Sequence, residues 1–167
     1  MAYSTQRPGV DYTTNTASAL HTVGTLDHGS KGTAWIYMQC DSTTSIAQYD
    51  WVCITQSSSG SAAASLFATP LTATNAATSY KVGVAQVAIS TGNYGWICIG
   101  GQSVKGHVAA GVNPGAFLYA SSTGGVAQGT VASAVGIIGA IAMSSAASSS
   151  SVMLNLAFPH IGFLRAA

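Results

Sequence analysis

Charge is what this sequence has least of. Its 167 residues include five Lys or Arg, four Asp and no Glu, so charged side chains make up 5% of the chain against about 25% in an average soluble protein. The basic residues Arg7, Lys31, Lys81, Lys105 and Arg165 are scattered, and no cluster can neutralise a row of phosphates, which speaks against a nucleic-acid partner. Disorder is disfavoured as well. A disordered chain resists burial through high charge and low hydrophobicity, whereas 48% of these residues are hydrophobic. A net charge of +1 favours association with copies or with a scaffold.

Long apolar runs are missing too. The longest, residues 131–143, is broken by Ser133, Gly136 and Gly139, and it falls short of the roughly 18 residues that span a bilayer. No membrane partner is expected. The first residues show no basic segment leading into an apolar one, so no secretory signal is read. Cysteine is sparse: Cys40, Cys53 and Cys98 are odd in number and set in apolar strand patterns. They read as buried free thiols of a reducing cytoplasm, and no Cys-x-x-Cys spacing points to a metal.

Gly, Ala, Ser, Thr and branched apolar residues make up much of the rest. Residues 33–40, 48–55, 81–89 and 151–156 have the length and alternation of strands. Turn signals at Ser57 to Gly60, Thr91 to Asn93, Asn113 to Gly115 and Ser121 to Gly125 separate such runs. Helix formers other than Ala are few. The expected class is all-β, a compact sandwich or small barrel, with a short helical turn at residues 62–66.

Two similar β-units are expected, because segments repeat in order. Gly32-Thr-Ala-Trp-Ile-Tyr-Met38 resembles Tyr94-Gly-Trp-Ile-Cys-Ile-Gly100, and residues 80–88 resemble residues 134–143. The offsets are uneven: 61 positions from Trp35 to Trp96, 68 from Trp51 to Tyr119 and 53 from Gly83 to Gly136. The organisation read from this is an extended arm at 1–28, a body at 29–157 divided into units 31–90 and 91–157, and a tail at 158–167. The polar arm must lie on the body or on a neighbour to offset its ordering entropy. The tail carries Phe158, Ile161, Phe163 and Leu164 with no evident partner strand, so it either folds back or plugs into another subunit.

Chemistry is hard to find. Asp11, Asp27, Asp41 and Asp50 are the only carboxylate side chains, and each reads as a turn or capping group rather than half of a catalytic pair. His21, His28, His107 and His160 lack metal-ligand spacing. No Gly-x-Ser-x-Gly elbow or phosphate loop is present. No catalytic, metal or cofactor residue is assigned and the chain is not read as an enzyme. The aromatics of the strands, Trp51 and Trp96 among them, could stack on sugars but fit core positions better.

The run Tyr80-Lys-Val-Gly-Val-Ala-Gln-Val-Ala-Ile-Ser-Thr-Gly-Asn-Tyr-Gly-Trp-Ile-Cys-Ile-Gly-Gly101, continued by residues 109–120 and 135–140, resembles the pattern of tailed-bacteriophage capsid decoration (cement) proteins. Residues 80–156 carry the likeness. It implies a structural virion protein, made in the host cytoplasm and carried on the outer capsid surface as a homotrimer or other oligomer that clamps the major capsid protein. On that expectation the arm and tail supply the contacts, through Tyr3, Arg7, Pro8 and Tyr12 and through Phe158, Ile161, Phe163, Leu164 and Arg165. The alternative is a receptor- or glycan-binding head-fibre or tail module of a phage.

Overall fold

The computed structural model describes residues 10–56, 66–79, 81–130 and 135–163. They form an all-β fold of ten strands in one hydrogen-bonded sheet. In chain order these are β1 (Leu26–His28), β2 (Ala34–Cys40), β3 (Trp51–Gln56), β4 (Leu66–Pro70), β5 (Lys81–Ala85), β6 (Tyr94–Val108), β7 (Phe117–Ala120), β8 (Ala127–Gln128), β9 (Val135–Ala142) and β10 (Ser150–Phe163). Among the described residues a short α-helix, α1 (Ala73–Ala76), lies between β4 and β5, and a 3-10 turn, Ser30–Gly32, lies between β1 and β2.

The pairings close two circuits. In the first, β2 runs parallel to β4, β4 pairs with β3, β3 with β5, β5 with β6, and β6 returns to β2. In the second, β6 runs parallel to β8, β8 pairs with β7, β7 with β9, β9 with β10, and β10 returns to β6. Both circuits have one parallel and four antiparallel pairs in the same connectivity, and closure removes the open edges that would recruit other chains.

The circuits share β6, whose residues from 101 onward take the place in the second that β2 takes in the first. Units read as 31–90 and 91–157 therefore shift to 34–100 and 101–163. Trp51 and Tyr119 do sit on corresponding strands, as do Gly83 and Gly136. Trp35 and Trp96 do not, because their strands are neighbours, with Tyr37 opposite Trp96.

Strand β6 bends where it changes circuits. Gly101 has φ 132° and Ser103 φ 59°, and the registers with β2 and β10 both slip nearby. A side chain on Gly101 would meet Thr33 Cγ2 at 2.8 Å, so only glycine allows the close approach.

The core divides by strand face. Ile36, Met38, Val52, Ile54, Ile97 and Ile99 belong to a cluster confined to the first circuit and its flanking loops. Alternate residues of those strands, such as Trp51, Val84 and Cys98, join a larger cluster with Leu118, Ile137 and Leu154 of the second circuit. Strands β2, β5 and the first half of β6 are consequently buried on both faces, and they read as nearly unbroken apolar runs.

Two local expectations change. Leu66 opens β4 instead of closing a helical turn, and residues 62–65 lie outside the described set. The helix forms instead at α1, where Thr72 accepts from the Asn75 amide at 3.1 Å and Asn75 Oδ1 accepts from the Thr72 amide at 2.7 Å. That reciprocal cap is a local signal that needs no apolar periodicity.

Candidate interaction surface

From Val10 onward, the arm lies on its own body. Tyr12 stacks on Trp35 with ring centroids 4.8 Å apart and meets Trp96 edge-on at 5.3 Å. Thr16 exchanges backbone hydrogen bonds with Tyr94 at 2.9 and 2.8 Å, and the Leu20 amide donates to the Tyr37 hydroxyl at 3.1 Å. Asn15 Nδ2 reaches the Ala88 carbonyl at 2.9 Å, and β1 pairs with β2. Tyr12, expected at a partner contact, is therefore a core residue of its own chain. Tyr3, Arg7 and Pro8 lie outside the described residues, as do Leu164 and Arg165.

The tail also finds a partner at home. Strand β10 runs through to Phe163, pairing His160 with Ile138, Ile161 with Ile137 and Phe163 with Val135. Ile161 is buried and Phe158 is 61% exposed. Pro159 disguised this strand in the sequence. It falls in a bulge where residues 157–159 stand opposite the single residue Gly139, so its missing amide costs no ladder hydrogen bond.

That bulge borders the main exposed apolar surface. On the outer wall of the second circuit Phe117 is 69% exposed, Ile138 52%, Met143 57%, Met153 39% and Ile141 38%. Phe117 stands opposite Ile141, which stands opposite Asn155. Between them lies a groove of about 480 Å³ lined by Phe117, Tyr119, Ile138, Ile141, Asn155 and Ala157 among others. Apolar exposure on this scale marks interaction surfaces more often than chance.

A second cluster is polar. His107 Nδ1 lies 3.1 Å from Asp50 Oδ1, and Asp50 Oδ2 accepts from the Ala47 amide at 2.8 Å. The carboxylate rests against Gly125, where φ is 74° and a Cβ would sit 2.3 Å from Asp50 Cγ. Trp51 Nε1 donates to the His107 carbonyl at 3.0 Å, and the Trp51 amide donates to the Gly125 carbonyl at 2.9 Å. Asp50 is thus more than a turn residue. Its bond to His107 ties the start of β3 to the far half of β6, a partnership across 57 positions that no local spacing announces. Among the described residues no hydroxyl or thiol hydrogen-bonds this imidazole.

The remaining groups are structural in their settings. Burial pushes the Cys53 and Cys98 thiols up to about 12, and it raises Cys40 as well. All three cysteines are free. Trp51, Trp96 and Tyr37 are buried, which makes them core and removes them as a stacking platform for sugars. Among the described residues no group of three His, Cys or Asp side chains is placed to hold a metal ion.

No protein-family model matches this chain, and no curated protein matches it either.

Proposed function

We propose that this chain is a capsid decoration, or cement, protein: a structural component of a phage particle that binds the outer face of the icosahedral head and clamps neighbouring major capsid proteins. In this reading it acts as a homo-oligomer, a trimer by the resemblance of residues 80–156, and no residue is catalytic. The observation that carries the proposal is the solvent-facing apolar wall around Phe117, Ile138 and Ile141, displayed by a nearly uncharged chain. A protein that binds the assembled shell and not its separated subunits stabilises the shell by linkage.

Contacts to the coat are assigned to the chain ends, with Tyr3, Arg7 and Pro8 at one and the exposed Phe158 with Leu164 and Arg165 at the other. The test is to mix the purified protein with undecorated heads, sediment them, and follow shell disruption on heating. Saturable co-sedimentation and a higher disruption temperature are expected; protein left in the supernatant at every concentration would defeat the proposal. Deleting residues 1–9 keeps Tyr12 in its aromatic nest, so lost occupancy would report on the arm, and unchanged occupancy would free the arm of that role.

A further inference from the structure

We infer that the outer wall formed by β7, β9 and β10 is the surface through which one copy of this chain binds a second copy. The inference rests on the assembly reading above and supplies what that reading leaves open, the occupant of the apolar wall.

Three features select a copy of the chain over a foreign partner. The first is charge. Strands β7, β9 and β10 contain no Asp, Glu, Lys or Arg. Foreign partners are steered and selected by complementary charge, and these three strands offer none to read. A second copy brings equally uncharged strands, and a fixed charge beside them, Lys105 of β6, stands opposite Met153 at the margin of the wall.

The second is shape. A surface that binds a copy of its own chain offers both a protrusion and a recess, whether the copies meet about a two-fold axis or head to tail in a closed ring. Phe117, 69% exposed, is the protrusion, and the adjoining groove of about 480 Å³ is the recess. The recess is built into the backbone. Gly139 has φ 82°, and any side chain there would come within 2.6 Å of the Ala157 carbonyl oxygen, so the β10 bulge stays seated against β9.

The third is area. Phe117, Ile138, Ile141, Met143 and Met153 together expose on the order of 400 Å². That is about half of the roughly 800 Å² per partner of a standard specific interface, so the contact between copies belongs to the smaller, weaker class.

Ile138→Glu and Phe117→Ser test the idea, since both side chains project into solvent and neither fills the core. The full chain is followed by light scattering behind gel filtration and by sedimentation over a concentration series, with circular dichroism and a thermal melt to establish that each variant is folded. Wild-type protein should run as a multiple of the chain mass, both folded variants should dissociate at least about tenfold more readily, and Leu20→Glu, distant in the sequence and on the arm, should leave the mass unchanged. A wild-type chain that stays monomeric at about 100 μM, or folded variants that associate as before, overturns the inference. So does a monomeric wild type whose binding to bare heads is lost in Ile138→Glu, because the wall would then belong to the coat protein. Head binding is scored separately. Association through this wall without head binding supports the inference and defeats only the decoration reading.

Discussion

At the residue scale, Gly83 shows how tightly the first circuit is filled. A Cβ at this position would lie 2.5 Å from Ile97 Cγ2 and 2.8 Å from the Cys98 carbonyl oxygen. Because the second obstacle is backbone, Gly83→Ala should destabilise by about 1–3 kcal/mol, measurable as a lower midpoint in urea. The Asp50–His107 bond gives a second expectation. His107→Ala leaves a buried carboxylate with, among the described residues, the Ala47 amide as its donor and should cost about 1–3 kcal/mol; His107→Asn, which places a donor near the old Nδ1, should recover part of it. The thiols set a pH limit. With Cys53 and Cys98 raised from 9.0 to about 12, the native state holds protons that the unfolded chain releases. Their contribution is complete below pH 9 and is lost as pH rises toward 12, at up to about 1.4 kcal/mol per pH unit for each thiol. Denaturation midpoints across pH 8–11 should fall accordingly, and replacing both residues by Ala should flatten the slope.

At the element scale, the first and last described segments carry more of the fold than their composition announced. Tyr12 ties the arm to β2 and β6 through two ring contacts, and Tyr12→Ala should cost about 2–4 kcal/mol and speed amide exchange at Thr16 and Leu20. The strands at 34–40 and 51–56 were legible because alternation and aromatic content are local properties. The last stretch of β10 was not, because Pro159 and Gly162 interrupt the pattern and the partner, β9, reveals itself only in three dimensions. The helix Ala73–Ala76 was hidden for the opposite reason: its signal is a cap, not a stripe. In β9, the positive φ of Gly139 upsets strict alternation, so that Ile138 and Ile141, three positions apart, are both exposed. The interaction wall was therefore invisible in a sequence that read those residues as one apolar run.

At the scale of the whole molecule, the shared strand decides how stability is distributed. Each circuit takes part of β6, β10 reaches across to pair with β5 at Lys81, and the larger core cluster spans both. The two circuits therefore share backbone hydrogen bonds and buried side chains as well as a strand. Unfolding should thus be one cooperative transition, with calorimetric and van't Hoff enthalpies in agreement; two resolved transitions would show the circuits to be independent.

The course of β6 also orders events on the ribosome. All five strands of the first circuit have been made once residue 100 has emerged, whereas the second still waits for β10 at residues 150–163. A nascent chain stalled between those points would carry one finished ring and one gaping one. The apolar interior of the unfinished ring would be open to chaperones, or to other nascent chains, until translation delivers the strand that shuts it.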